Sequence, residues 1–501
     1  MHRNVFLGAA LIVAVCSASG QREPEHDSLH ETLQELQTQI RELQATVQEL
    51  RDETAKYRAE TAALRNQLAH SVGATSPAPP ASEASPAARE NPPAPADARL
   101  TELQEEIALL TGKVDEQYQT KVESGSKYRV RLSGIALFNL FSNSGVVDNV
   151  DNPTLALPPA PGESAGSFGG TLRQSILGLQ VFGPSLAGAH TSASIQFDFG
   201  GGFPQVPNGV TFGLARLRTG WMKLQWQDTS ITAGQDTLFF APLAPTSFAS
   251  LSTPALAYAG NLWAWVPQLR VEHKVSLSDT SSLNIAAGIL DGITGEPPAT
   301  EYSRPPQAGE QARQPAYAAR LAWTHNAFGR PMTIGTAGYY DRENWGFDRN
   351  VDGWAGLADV NMPLGKWFGL SAEGYRGRAI GGLGGGIGTS VLSSGSLTDP
   401  TTSVLGLSAE GGWAQLKFAP TPKLEFNGAF GQDNPFARDV REFGEASEYT
   451  LVRNRGGLAN VIFRPRSDLI MSLEYRRLRT FGLPNTSDIA NQVNLGMGVL
   501  F

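Results

Sequence analysis

Polar and apolar residues alternate along most of the chain from residue 127 onward. Residues 189–199 show the pattern most cleanly, with polar side chains at His190, Ser192, Ser194, Gln196 and Asp198. The residues between them are Thr191, Ala193, Ile195, Phe197 and Phe199. Successive side chains of a β-strand point to opposite faces, so this period of two predicts strands with one face toward lipid and one toward water.

Such segments recur along the rest of the chain and are joined by alternating short and long connections. The predicted strands are 127–142, 170–182, 189–199, 212–226, 230–238, 264–277, 282–291, 315–325, 332–342, 353–362, 367–378, 404–418, 423–431, 449–464, 469–480 and 489–501. The long connections are 143–169, 200–211, 239–263, 292–314, 379–403 and 432–448. An even strand number with short turns at one end and long loops at the other predicts an all-β transmembrane barrel of about 16 antiparallel strands over 127–501.

Aromatic residues strengthen the prediction of a barrel over a water-soluble β-sandwich, which also uses alternating strands. They flank the short turns at Phe182, Trp226, Trp323, Trp367, Phe418 and Phe463, where they would form an interfacial girdle. The chain also ends on an alternating apolar strand with Phe501 as its last residue. That ending looks like the terminal strand by which insertion machinery recognises outer-membrane barrels.

The N-terminus has the pattern of a secretory signal, predicted over residues 1–20. An apolar run from Val5 to Val15 follows Arg3 and is too short to span a bilayer as a helix. The single cysteine, Cys16, lies at the end of this run and would leave with it. Val15 is a poor residue before a lipidated cysteine, so removal of the segment is favoured over a lipid anchor.

Residues 21–70 carry a heptad pattern that predicts an α-helical coiled coil, against the alternative of a lone solvated helix. The seam runs through Leu29, Leu33, Leu36, Ile40, Leu43, Val47, Leu50, Thr54, Tyr57, Thr61, Leu64 and Leu68. This seam leans toward a parallel dimer. A Pro- and Ala-rich linker follows at 71–97, and a short second helical coil is predicted at 98–117.

Composition narrows the function classes. The chain of 501 residues has 54 glycines, 32 prolines and only 18% charged residues, which suits a large β protein. Its net charge of −8 comes from the part before residue 127, so no basic surface for nucleic acid is expected. Seven scattered histidines and no cysteine after signal removal predict neither a metal site nor a cofactor.

With these features together, the chain resembles trimeric bacterial outer-membrane porins, particularly the DcaP-like group with an N-terminal periplasmic coiled coil. Similar local stretches are KYRVRLSG (Lys127 to Gly134), ITAGQDTLFF (Ile231 to Phe240) and NLWAWVPQLRVE (Asn261 to Glu272). The resemblance implies a homotrimer in the outer membrane, with the coil in the periplasm. The heptad seam alone leans toward a dimer, so both oligomeric states stay open here.

Strand parity predicts which charges face the lumen. The predicted channel-lining cations are Arg216, Arg218, Arg270, Lys274, Arg320, Lys417 and Arg476, and the anions are Asp198, Glu272, Asp359, Glu425 and Glu474. The slight positive excess favours a mild anion preference. The alternative is that opposite charges pair across the wall and only stabilise it.

The third long connection is unusual because no charged residue lies between Asp236 and Arg270. In the porins that the chain resembles, this loop often folds inward. If it does so here, Phe239, Phe240, Phe248 and Tyr258 would form a weakly polar constriction. The alternative is a loop packed on the outer rim.

No catalytic arrangement emerges from the sequence. His190, Ser192, Ser194 and Asp198 share one strand face, but nothing supplies an oxyanion site for a hydrolase. The glycine run from Gly381 to Gly388 lacks the lysine of a phosphate-binding loop. We therefore expect a non-enzymatic, passive outer-membrane channel for small hydrophilic solutes, with outer-membrane lipid and further copies of itself as partners. The alternatives are a structural envelope tether and an outer-membrane hydrolase.

Overall fold

The computed structural model describes residues 121–122, 129–296 and 303–501. All of them belong to the unit formed by residues 96–501. The predicted signal segment at 1–20, coiled coil at 21–70, linker at 71–97 and second coil at 98–117 lie outside the described residues.

Sixteen antiparallel strands form a closed barrel. Their bounds are β1 Arg129–Ser144, β2 Ile176–Leu186, β3 Ala189–Asp198, β4 Arg216–Gln225, β5 Thr229–Thr237, β6 Trp265–Ser278, β7 Ser281–Leu290, β8 Ala316–Ala327, β9 Arg330–Asn344, β10 Asn350–Leu364, β11 Phe368–Arg378, β12 Ser408–Thr421, β13 Leu424–Pro435, β14 Leu451–Arg466, β15 Leu469–Gly482 and β16 Thr486–Leu500. Each strand pairs with the next along the chain, and β1 pairs with β16 through Ile135 and Leu500. The predicted 16-stranded all-β barrel is confirmed.

Strand β2 departs from the regular ladder in a way that the alternation did not indicate. A separate stretch, Gly166–Thr171, pairs with the upper part of β1, and Ile176–Leu186 pairs with its lower part. Between them, Arg173 and Gln174 leave the ladder and are buried. Because Arg173 and Gln174 are not part of the ladder, their polar side chains can turn into the molecule.

The alternation along each strand separates an apolar exterior from a polar interior. In β16, Val493, Leu495 and Met497 are exposed, while Gln492 and Asn494, which alternate with them, are buried. An outward apolar band is what a barrel presents to lipid. Aromatic residues lie at the border of this band near the short turns, where Trp323, Trp367 and Phe463 are exposed. The paired Phe368, Phe418 and Phe426 stack there with centroids 4.7 and 5.9 Å apart.

The long connections all lie at the opposite end from these short turns. We number the eight connections at that end in chain order: loop 1 (145–165), loop 2 (199–215), loop 3 (238–264), loop 4 (291–315), loop 5 (345–349), loop 6 (379–407), loop 7 (436–450) and loop 8 (483–485). Loop 4 holds helix α1, Ala308–Gln311, and loop 7 holds helix α2, Ala437–Phe443. Neither is long and apolar enough to cross a membrane, nor is any other helix among the described residues.

Candidate functional site in the barrel interior

Loop 3 runs through the inside of the barrel. The Nδ2 of Asn139 on β1 donates to the carbonyl of Phe248 at 3.1 Å, and the Nδ2 of Asn460 on β14 donates to that of Thr246 at 2.8 Å. The N–H of Thr246 donates to Oε1 of Gln415 on β12 at 2.6 Å. These three wall side chains are buried and point inward. A segment can reach them together only from within the barrel.

The wall that receives loop 3 carries buried amides in two hydrogen-bonded groups, which we call together the amide belt: Asn139, Gln415, Asn427, Asn460 and Asn494. Gln415 donates to Asn427 at 3.2 Å, and Asn427 donates to Asn460 at 2.9 Å. Asn139 donates to Asn494 at 2.9 Å. All five are buried. An amide both donates and accepts, so the belt can bind the loop backbone while Asn427 and Asn460 also donate to the wall carboxylates Glu425 and Glu474, at 2.8 and 3.1 Å.

Gly260 marks the closest approach of loop 3 to the wall. Its φ of +99° lies in the left-handed region that favours glycine. A Cβ at this position would lie 2.2 Å from the carbonyl oxygen of Gly412 and 2.6 Å from that of Gln432. Only a residue without a side chain fits here. Nearby, Leu256 and Tyr258 also have positive φ, at +61° and +57°, so this part of the loop is tightly coiled.

The aromatic residues expected to form a constriction hold the loop in place. Phe239 and Phe240 are only 8% and 1% exposed, and Phe240 stacks on Tyr339 of β9 with centroids 5.3 Å apart. Phe248 packs against the buried cluster that includes Ile462. Tyr258 is half-buried, and burial together with the nearby Asp148 carboxylate raises the pKa of its phenol. The phenol therefore stays neutral at physiological pH.

A second region of the interior wall, on β3 to β10, is charged. We call it the charged arc: Asp198, Arg216, Arg218, Asp236, Arg270, Glu272, Arg320 and Asp359. Asp198 lies 2.7 Å from Arg216 and 3.7 Å from Arg218. Arg270 bridges Asp236 at 2.8 Å and Glu272 at 2.9 Å. The predicted charges of this wall are thus brought together as ion pairs.

Further pairs continue this arrangement around the barrel. Arg320 on β8 binds Asp359 on β10 at 2.6 Å, although β9 lies between their strands. Such a contact is possible because Gly335 of β9 has no side chain there: an added Cβ would lie 2.2 Å from the Asp359 carboxylate. On the other side, Lys417 pairs with Glu425 at 3.2 Å, and Arg476 pairs with Glu474 at 2.8 Å.

Exposure within several pairs is unequal. The Arg216 side chain is 28% exposed and that of Asp198 is fully buried, and the Lys417 side chain is 40% exposed against 12% for Glu425. Two sets of pairs differ: Glu272 is more exposed than Arg270, and Arg476 and Glu474 are both buried. Lys274 is exposed and forms no ion pair within the described ranges. In most pairs the positive group therefore faces the water and the carboxylate faces the wall.

Loop 3 and the charged arc are in direct contact. The guanidinium of Arg218 donates to the carbonyl of Leu251 at 2.8 Å, and that of Arg216 donates to Ser252. Both guanidinium groups also lie over the Trp265 ring, 4.8 and 4.9 Å from its centroid. The indole therefore holds two like-charged groups side by side through cation–π contacts.

Sequence reasoning missed several of these residues. Asp236 is in phase with the inward Ser230 and Thr232 on β5, so strand parity could have found it. Trp265 lies within NLWAWVPQLRVE, where two tryptophans two residues apart were a visible signal. Gln174 accepts hydrogen bonds from the N–H groups of Leu251 and Ser252 at 2.7 Å each. It lies in the break of β2, for which the sequence carries no periodic signal.

No protein-family model and no curated protein matches this sequence. Several solved structures are similar to it. The outer membrane channel DcaP of Acinetobacter baumannii is 16% identical over 76% of this chain and 99% of that one, with a TM-score of 0.58. The anion-selective porin from Comamonas acidovorans is 11% identical over 75% and 100% of the two chains, with a TM-score of 0.46. OmpT of Vibrio cholerae, in its trimer form, is 10% identical over 75% and 100%, with a TM-score of 0.43. The barrel of this chain thus has the fold of the outer membrane channel DcaP.

Proposed function

We propose that this protein is a porin, a passive outer-membrane channel through which small hydrophilic solutes diffuse. The observation that carries the proposal is the path of loop 3 inside a barrel whose exterior is apolar and whose interior is polar. An uncharged segment held away from lipid by wall amides narrows the lumen without adding a charge of its own. Solutes would be sorted by size at this loop.

Swelling of liposomes that contain the purified full-length protein tests the proposal. Uncharged sugars of increasing size should enter at rates that fall steeply with molecular radius, because the path past loop 3 is narrow. Protein added to preformed liposomes without insertion serves as the control. Inserted, heat-modifiable barrels that admit no sugar of any size would contradict the channel.

We further propose that this channel has a mild preference for anions. It rests on exposure rather than on the number of charges, since Arg216 and Lys417 face the water more than their carboxylate partners. A guanidinium near the water attracts an entering anion, while its carboxylate is partly shielded by the wall. Lys274 adds an exposed cation at the short-turn end of β6.

Reversal potentials in a salt gradient test this preference. The native protein should favour anions, and the triple variant Arg216→Ala, Arg218→Ala, Arg270→Ala should favour them less. Arg466→Ala is the matched control, because Arg466 is exposed at a short turn and pairs with Asp468. A cation-selective native channel, or an unaltered reversal potential in the triple variant, would contradict the role given to these arginines.

We also propose a homotrimer held mainly by the barrel walls, with the N-terminal coil in the periplasm. Large apolar side chains are exposed at the long-loop end near β2 and β4: Phe168 is 76% exposed and Val210 80%. Large apolar side chains with such high exposure favour a protein contact at this end. Deleting residues 21–120 should leave trimeric channels, as measured by native gel migration and conductance. If the truncated barrel is monomeric, the coil and not the barrel walls holds the trimer together.

A further inference from the structure

Four arginines lie on the outer surface of the barrel, at the long-loop ends of β14 and β15. We call this group the exterior arginine patch: Arg453, Arg455, Arg477 and Arg479. They alternate along their strands with Asn454, Leu478 and Thr480, which are buried and point inward. The four guanidinium groups therefore project away from the lumen and take no part in the proposed channel.

The strand register places these like charges together. Arg455 is directly opposite Arg479, and Arg477 is opposite Gly457, two residues further along β14. Like charges directly across a strand pair destabilise a sheet. An anion bound between the charges would offset this repulsion.

Neutral groups are the only hydrogen-bond partners that the described part of the chain offers the patch. Arg453 donates to Oδ1 of Asn434 at 2.9 Å, and Arg479 donates to Oγ of Ser487 at 3.2 Å. Arg455 donates to Gln432. A guanidinium has five N–H donors, so each of these groups keeps donors for a further acceptor. No carboxylate of the described chain neutralises any of the four.

One aromatic ring holds three of the four arginines in position. The guanidinium carbons of Arg453, Arg455 and Arg479 lie 5.6, 5.4 and 4.6 Å from the centroid of Phe481. Cation–π contacts of this kind reduce the freedom of the side chains before any ligand arrives. The patch is therefore preorganised.

The position of the patch along the barrel axis indicates which kind of ligand it binds. The next outward residue of β15 toward the short-turn end is Tyr475, which is exposed together with its cross-strand partner Val493 and with Phe430. These residues belong to the apolar band, so the arginines lie at its border, where lipid headgroups meet the protein. Guanidinium groups bind phosphate oxygens in a bidentate manner.

Two other arginines at this end of the exterior, Arg342 and Arg376, have a carboxylate nearby or in register. Arg342 lies 3.8 Å from Asp352, and Arg376 is in register with Glu410 on the neighbouring strand. The exterior arginine patch differs from them because no carboxylate of the described residues pairs with it. This difference is the second reason to expect an external anion at β14 and β15.

We propose that the exterior arginine patch binds the phosphate groups of a phosphorylated glycolipid in the outer leaflet of the membrane. The lipid would lie along the outer wall of β14 and β15, with its acyl chains on the apolar band and its phosphates between Arg455 and Arg479. This site goes beyond the channel function, since it would anchor the barrel laterally without touching the lumen.

Binding of purified full-length protein to bisphosphorylated lipid A in detergent tests the proposal, with dephosphorylated lipid A as the second probe. The variant Arg455→Gln, Arg479→Gln should bind bisphosphorylated lipid A roughly thirtyfold more weakly, because each arginine near an anionic headgroup contributes about a fivefold factor in affinity. Binding to the native protein should also weaken as salt increases. The matched control Arg342→Gln, Arg376→Gln removes the same charge from the same end and should leave the affinity unchanged.

Unchanged conductance and heat-modifiable migration would show that the variants are folded. Equal affinity of the native protein and the patch variant would overturn the proposal, as would equal weakening in the control. Equal binding of dephosphorylated lipid A would show that the phosphates are not recognised. Loss of the oligomer in the patch variant with lipid binding retained would assign the surface to a contact between copies of the chain, and would also overturn it.

Discussion

The amide belt and the charged arc both contact loop 3, but by different means. On the amide belt, buried neutral side chains such as Gln415 and Asn460 bind the loop backbone directly. On the charged arc, Arg216 and Arg218 bind loop carbonyls and also pair with Asp198. On the amide belt, neutral groups thus satisfy the backbone of loop 3, while on the charged arc this is done by cations that still partly reach water.

This difference predicts separate roles for the two regions: the amide belt holds loop 3 in position, and the charged arc determines which ions pass. Loss of a belt amide should move or loosen loop 3 and so change how much passes. Loss of an exposed charge should change which ion passes, with little effect on the loop. The predictions below are ordered by the size of the expected effect.

Removal of the loop should have the largest effect. Replacing residues 244–259 by a short Gly-Ser link takes out the segment bound by Gln415 and Asn460, so single-channel conductance should increase severalfold. Shortening the exposed tip of loop 6 at residues 396–401 is the control and should leave conductance nearly unchanged. A conductance that is the same in both variants would mean that loop 3 does not narrow the path.

Gly260→Ala should displace the loop from the wall. The new Cβ would collide with the carbonyl oxygens of Gly412 and Gln432 while φ is +99°, at a cost of about 3 kcal/mol of unfolding free energy. The temperature of the heat-induced mobility shift should fall, and open-channel noise should increase. Gly338→Ala, where an added Cβ meets no atom within 4 Å, should behave like the native protein.

Gln415→Ala should weaken the amide belt more mildly. Without the side chain, the N–H of Thr246 and the amide of Asn427 each lose a buried partner, which costs about 1–2 kcal/mol. Protease sensitivity of loop 3 in detergent should increase. Asn361→Ala, at an exposed position on β10, is the comparison. Equal protease sensitivity in the two variants would mean that Gln415 does not hold loop 3 in place.

Lys274→Gln should have the smallest effect. It removes one exposed cation at the short-turn end that has no ion-pair partner among the described residues, so the anion-to-cation permeability ratio should fall by less than about a factor of two under screening at physiological salt. Conductance should stay the same. Lys423→Gln, in the exposed turn between β12 and β13, controls for a change of net charge alone.

Most of the barrel was predictable from local patterns, because each outward residue must suit lipid and each inward residue must suit water or the loop. Val493 and Asn494 on β16 illustrate this rule. The ion pairs were partly predictable, since parity placed Arg320 and Asp359 on the same face, but their contact across β9 depends on the missing side chain of Gly335.

The path of loop 3 was not predictable from the residues alone. It depends on contacts between distant parts of the chain, such as Gln174 with Leu251 and Gly260 with the wall of β12. The alternation of polar and apolar residues along the sequence does not reveal such contacts. The sequence showed only that the loop lacks charge, which is compatible with both the interior and the rim.

Single-channel recording of the native full-length protein in planar bilayers tests the central claim most directly. A passive channel predicts discrete steps of equal height, an ohmic current and a conductance that increases in proportion to bulk salt. Folded barrels that insert but carry no steps, or a current that saturates at low salt as for a tight ion-binding site, would contradict the account.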